Sequence, residues 1–242
     1  MSKTVLITGA SRGIGAETAR RFAREGYAVG VNYCKSQDQA EELVRELEAM
    51  GVSAKAYQAD VSDRAQVDRI VADFLKDFGS MDVLVCNAGI ARQELFTDVT
   101  LDQWRQMLGI NLDGVFHCCQ AALPDMIRRK SGRIITLSSM WGQVGASCEA
   151  AYSATKSGVH GLTRALAKEL APSNVQVNAI ACGCIDTSMN SQLSAEEKSS
   201  LEEEIPAGRF GSPQEVADFV MQLVNSPAYL TGQIVGLDGG YI

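Results

Sequence analysis

Three side chains close together in the chain could between them hold a carbonyl and move a proton. Ser139 stands in Ser138-Ser139-Met140-Trp141-Gly142, and Tyr152 and Lys156 bracket Tyr152-Ser153-Ala154-Thr155-Lys156. On a helix, residues four apart share a face, so the phenol and the ammonium can reach one point. An ammonium favours the phenolate and is expected to lower the Tyr152 pKa from its ordinary value near ~10, making the group a usable proton donor and acceptor. Ser139 closes the apolar run Arg133-Ile134-Ile135-Thr136-Leu137, which reads as a strand. Its hydroxyl is expected at that strand's C-terminal end, where it can stabilise charge growing on a carbonyl oxygen. Taken alone, Tyr-x-x-x-Lys also arises by chance on half-exposed helices.

A chain of 242 residues that is 46% hydrophobic can bury one α/β core and has no room for a second domain. Its formal charge of −7 supplies no basic field for nucleic acid or an anionic membrane. The start of the chain reaches an apolar strand with no charged leader, and no stretch approaches ~18 apolar residues. A cytoplasmic protein, neither secreted nor membrane-spanning, is expected. The seven cysteines lack zinc-type pairing and only His117 and His160 could join them, so reduced thiols and no metal are expected.

The trio has to be held by a fold, and the chain carries the elements for one in order. Val5-Leu6-Ile7 reads as a strand and 16–25 as a helix, with Thr8-Gly9-Ala10-Ser11-Arg12-Gly13-Ile14-Gly15 between them. Such a turn lets the backbone approach a dinucleotide while the helix N-terminus faces its phosphates. An NAD site places an acid at the end of the next strand, 28–33. Here Asn32-Tyr33-Cys34-Lys35-Ser36 has none, and Arg12, Lys35 and Ser36 could hold a 2′-phosphate, so NADPH is expected. A helix over 39–50, a strand over 53–59 and Asp60-Val61 at the ligand edge come next. A helix capped by Ser62 or Asp63 ends before Gly79, and a strand over 81–86 runs into Asn87-Ala88-Gly89. One long helical region, 101–129, contains Asn111 between two glycines, which marks a kink or a functional backbone site. The helix bearing Tyr152 runs to about 170, and a strand over 175–180 leads into Ala181-Cys182-Gly183-Cys184-Ile185-Asp186-Thr187. The polar stretch 188–211 reads as a mobile substrate lid, followed by a helix at about 213–224 and a strand over 233–237. This alternation implies a doubly wound parallel sheet.

With those residues in view, the chain resembles the short-chain dehydrogenase/reductase family over essentially its whole length. The resemblance rests on the 8–15 turn, Asp60, Asn87-Ala88-Gly89, Asn111, Ser139, and Tyr152 with Lys156. It implies a Rossmann-type seven-stranded sheet ordered 3-2-1-4-5-6-7 with helices on both faces. It also implies Ser139 orienting the carbonyl, Tyr152 as proton donor, and Lys156 lowering the Tyr152 pKa and holding the nicotinamide ribose. Asn111 would anchor a water relay, and Thr187 would meet the carboxamide, with Gly183 and Ile185 beside it. The family's Pro-Gly is Cys182-Gly183 here, and its first Asn before Asn87 is Cys86.

Within the family the chain is similar to bacterial 3-oxoacyl-acyl-carrier-protein reductases, which implies reduction of a 3-oxoacyl thioester on an acidic carrier. Arg129 matches one basic docking position, whereas the other is Ser173. Residues 141–149 also resemble a subgroup acting on the aminopentanone group of elongation factor P, and Glu149 could pair with such an amine. Glu149 equally suits the first turn of a helix as an acid favoured by its dipole. Reduction of another small ketone or a steroid, and a non-catalytic NADP-binding sensor or scaffold, are the remaining readings. A homotetramer is implied, assembled through the 101–129 and 152–170 helices and a buried C-terminal strand.

Overall fold

A computed structural model describes residues 2–188 and 194–242. Seven parallel strands form one sheet in the order 3-2-1-4-5-6-7: β1 Thr4–Ile7, β2 Ala28–Tyr33, β3 Ala54–Gln58, β4 Val83–Cys86, β5 Gly132–Ser139, β6 Val175–Cys182 and β7 Ile234–Leu237. The apolar runs of β1, β2, β4 and β6 are buried on both faces, because helices cover both sides of a parallel sheet. On one side pack α1 Gly13–Arg24, α2 Gln37–Ala49 and α9 Pro213–Val224, where Phe22, Leu43, Leu47, Val216 and Val220 form a single apolar cluster. On the other pack α3 Arg64–Phe78, α5 Gly114–Arg129 and α7 Ala150–Leu170, through Phe74, Val67, Met126 and Val159. Phe22 and Phe74 are fully buried, each contributing about 2–3 kcal/mol by leaving water.

Local chemistry sets the ends of these elements. Asp63, rather than Ser62, caps α3, its carboxylate accepting from Ala65 N and Gln66 N, and Gly79 closes the helix in the left-handed region. The region expected as one helix over 101–129 is three pieces: α4 Leu101–Leu108, a π-helical turn Gly109–Asp113, and α5. The kink expected at Asn111 is this turn, a device that inserts one residue into the helix and reorients the turns after it. The strands expected over 133–137 and 175–180 run further, to Ser139 and Cys182, which pair across the sheet. The described residues also form one-turn α6 Trp141–Val144, a 3-10 turn Ala171–Ser173, and α8 Ala195–Glu204 within the stretch expected as a lid. Residues 189–193 of that stretch lie outside the described residues. The last strand, β7, is half-buried within the single chain, because it is a sheet edge with β6 on one flank only. Among the described residues no helix is long and apolar enough to cross a membrane.

Candidate active site

The site forms at the C-terminal edge of the sheet, where β1, β4, β5 and β6 end. After β1 the chain turns through Gly9 at φ +61°, and a Cβ there would lie 2.8 Å from Ala88 Cα, so only glycine fits against the loop after β4. That loop is stitched to the turn. Asn87 Nδ2 donates to the Thr8 and Gly9 carbonyls at 2.9 and 3.0 Å, and the Asn87 and Ala88 amides donate to Thr8 Oγ1 at 3.0 Å. The turn delivers the N-terminus of α1, where Arg12 makes no side-chain capping bond and Gly13, Ile14 and Gly15 open the helix. Uncapped amides at a helix N-terminus, reached by close backbone, fit a dinucleotide's pyrophosphate.

Asn32, expected among the cofactor contacts, is instead 1% exposed and fully engaged. Its Oδ1 accepts from Gly9 N at 3.1 Å while Nδ2 donates to the Tyr57 and Ala59 carbonyls, each at 3.1 Å. It shapes the glycine turn from behind and offers nothing to a ligand. Arg12 and Lys35 are exposed and Ser36 is half-buried, with Ser11 beside Arg12 in the turn. Asp60 Oδ1 is held by the Ser62 amide and hydroxyl at 2.9 and 2.7 Å, and Val61 is buried after it, its carbonyl 3.0 Å from His117 Nδ1.

Ser139, at the last position of β5, accepts from Trp141 N at 3.2 Å and lines the cavity with Tyr152. Tyr152 and Lys156 share the inward face of α7, with Lys156 Nζ 5.4 Å from the Tyr152 ring centre. The trio read from the sequence therefore converges. Burial drives the Tyr152 phenol upward, while the Ser139 hydroxyl works to lower it. Lys156 donates to the Leu137 carbonyl at 2.9 Å, and burial pushes its own pKa down to about 8. In this geometry Tyr152 is a neutral phenol, poised to donate. Cys182, where the family has proline, lies beside Lys156 as a thiol pushed up to about 12 by burial.

Asn111 is 1% exposed and clips the π-helical turn to the loop after Gly89. Its Oδ1 accepts from Ile90 N and its Nδ2 donates to Ile90 O, both at 2.8 Å. Its side chain is thereby spent on backbone, which fixes the junction of α4 and α5 beside α7.

Between these elements lies a cavity of ≈ 200 Å³. Ile14, Asn87, Gly89, Gly183, Ile185 and Thr187 line its cofactor side with the trio, and Arg92, Gln93, Trp141, Glu149, Leu201 and Phe210 line the rest. Burial outweighs the influence of Gln93 and raises the Glu149 carboxyl above the usual range.

A model of the short chain dehydrogenase family matches residues 3–198. The chain belongs to the short-chain dehydrogenase family. A 3-oxoacyl-[acyl-carrier-protein] reductase of Staphylococcus aureus is 45% identical over 241 residues, covering 99% of this chain and 98% of that protein. YmfI, an uncharacterized oxidoreductase of Bacillus subtilis, is 41% identical over 100% of this chain and 99% of its own. The crystal structure of a Brucella melitensis 3-oxoacyl-[acyl-carrier protein] reductase superposes with a TM-score of 0.92 at 34% identity, covering 99% of this chain and 91% of that one. This short-chain dehydrogenase is an oxidoreductase that uses a nicotinamide cofactor, homologous to reductases acting on a keto group.

Arg129, expected as a docking cation, is held by its own chain: Nε donates to Asp125 Oδ2 at 2.8 Å, Nη1 to Asp82 Oδ1 at 3.0 Å, and Nη2 to the Met81 carbonyl. Its charge is spent anchoring α5 to the start of β4. Other functional neighbours carried no motif. His160 continues the 152, 156 series by one further turn, is 3% exposed, and places Nε2 2.8 Å from Ser138 Oγ. Helical spacing alone could have found it; Gln93, Leu201 and Phe210 carried no local signal.

Proposed function

We propose that this short-chain dehydrogenase is an NADPH-dependent carbonyl reductase whose substrate is a 3-oxoacyl thioester on acyl carrier protein. The observation that carries the reading is Tyr152 and Lys156 on one face of α7 beside Ser139 at the end of β5, in a cavity that also meets the uncapped end of α1. The full-length similarity to curated 3-oxoacyl reductases supports the choice of substrate. Gly9, Gly13, Gly15 and the α1 amides would hold the pyrophosphate, Asp60 and Val61 the adenine end, and Lys156, Gly183, Ile185 and Thr187 the nicotinamide end. Bound there, the cofactor supplies hydride.

The chain's own residues do the rest. Ser139 holds the ketone oxygen, and Tyr152, kept neutral by burial, donates its proton to that oxygen as negative charge develops. Lys156 then stabilises the phenolate left behind, with Asn111 fixing the turn through which a water relay would return the proton. Charge stabilisation is strong here because the groups are desolvated. The lack of an acid after β2, with Arg12, Lys35 and Ser36 at that edge, favours NADPH over NADH. A cytoplasmic homotetramer is proposed, supported by Phe116 and Ile127, which are 44% and 42% exposed on α5, and by the edge of β7.

A second reading is favoured by a specific feature: the substrate side of the cavity carries the Glu149 carboxylate. Glu94, whose backbone amide donates to the Cys148 carbonyl next to Glu149, buries an Oε2 that has no hydrogen-bond partner among the described residues. The Glu149 carboxyl suits a ketone bearing an amine, such as the aminopentanone group on elongation factor P. One experiment separates the readings. NADPH oxidation is followed with 3-oxoacyl thioesters, free and carrier-bound, and with amino-ketones, for wild type, Tyr152→Phe and Glu149→Gln. Carrier thioester turnover that vanishes in Tyr152→Phe and is indifferent to Glu149→Gln is the expected result. A KM rise confined to amino-ketones in Glu149→Gln would install the second reading, and turnover surviving Tyr152→Phe would remove both.

A further inference from the structure

The C-terminal residues bridge two walls of the cavity. The Tyr241 ring stands edge-on to Trp141, centroids 5.6 Å apart at 84°, and its hydroxyl donates to Glu204 Oε2 at 2.8 Å. Trp141 lines the cavity from α6, and Glu204 is the last residue of α8, whose Leu201 lines it too. The tail is pressed against the residues just beyond α8. Ala207 N donates to Gly239 O at 3.0 Å, and Gly239 takes φ +70° where a Cβ would lie 2.8 Å from Ile205 Cγ2.

Helix α8 needs such a tether. Its sequence, Ala195 to Glu204, holds five glutamates and one large apolar residue, Leu201, so burial of apolar surface cannot fix its position. Among the described residues it is also held by the ion pair Lys198–Asp186 at 3.1 Å, with side chains 39% and 64% exposed, and by Lys198 lying 5.3 Å from the Phe210 ring centre, contacts of a kind that contributes little. We infer that Tyr241 is a specificity-determining positioning residue: by holding Glu204 against Trp141 it sets how far α8 stands from the cavity, and hence the length of substrate chain the pocket accepts. This rests on the ketone-reductase reading for its substrate, though not for the tether itself.

The test compares Tyr241→Phe, Tyr241→Ala and Glu204→Gln in the full-length protein. Phenylalanine keeps the ring contact and loses the bond to Glu204; alanine loses both; glutamine keeps an acceptor. Losing one hydrogen bond should raise KM for a long-chain 3-oxoacyl thioester about two- to tenfold in Tyr241→Phe, and more in Tyr241→Ala. The kcat on acetoacetyl thioester and the NADPH Kd should not move, and Glu204→Gln should behave as wild type. Amide hydrogen exchange in α8 should quicken in Tyr241→Ala and stay at the wild-type rate in Glu204→Gln. Unchanged exchange in α8, or a fall in kcat independent of chain length, would overturn the inference. If wild type binds NADPH yet reduces no thioester of any length, the substrate reading fails instead, and the α8 exchange rates alone decide the tether.

Discussion

Removing the Lys156 ammonium should stabilise the protein while ending catalysis. Burial lowers this lysine from its ordinary 10.5 to about 8, which at about 1.4 kcal/mol per pH unit means that the folded state opposes the charged form by roughly 3 kcal/mol. Lys156→Met keeps much of the volume and discards the charge. It also discards the bond to the Leu137 carbonyl, a loss of about 1 kcal/mol. The net gain near neutral pH is about 2 kcal/mol, or a rise in Tm of about 4–8 °C for a chain of this size. The pH dependence has a definite sign. Below about 8 the lysine is protonated in both folded and unfolded chains, and the full cost stands. Between about 8 and 10.5 the unfolded chain keeps a proton that the folded one has released, so wild-type stability climbs with pH and the variant's advantage shrinks. Urea unfolding of both proteins across this range, with NADPH titrations alongside, measures it. A variant less stable than wild type near neutral pH, or an advantage that does not narrow above about pH 8, would refute the argument. Function held at a cost in stability is the expected pattern at an active site.

Asn111→Ala leaves both Ile90 backbone groups without a partner, at about 2–4 kcal/mol, and should lower Tm as well as kcat; Asn111→Asp, which keeps the acceptor for Ile90 N, should lose less. Thermal unfolding checks the order of the three proteins. Arg129→Met should act on folding rather than on carrier encounter. Burial works to raise the Asp125 carboxyl, but the Met81 amide and Arg129 hold it below the usual range, and without Arg129 the loss is about 2–4 kcal/mol. Denaturant midpoints test this, and an unchanged midpoint with a depressed kcat/KM for carrier-bound substrate would restore Arg129 as a docking residue. Arg12→Ala combined with Lys35→Ala should cut the preference for NADPH over NADH about tenfold, measured as the ratio of kcat/KM for the two coenzymes.

Much of the site could be read from sequence because its chemistry is local. The glycine turn opens a helix directly after a strand, Tyr152 and Lys156 share a face by helical spacing, and Ser139 ends an apolar strand; each needs only a few neighbouring residues to be recognised. The strand order came from the family resemblance and the parallel class from alternation of elements. Other features depend on partners far apart in the chain or on the dielectric around a charge, and these took the folded molecule to decide. Asn32 looked like a ligand contact by position, yet Gly9, Tyr57 and Ala59 consume its side chain. Arg129 looked like a free cation until Asp82, 47 residues away, and Asp125 closed on it. Tyr241 meets Trp141 and Glu204 only because the chain end returns across the pocket. The direction of the Tyr152 shift depends on how completely burial outweighs the neighbouring Ser139 hydroxyl. Spacing along a helix tells which groups meet; desolvation, which belongs to the assembled fold, sets their charges.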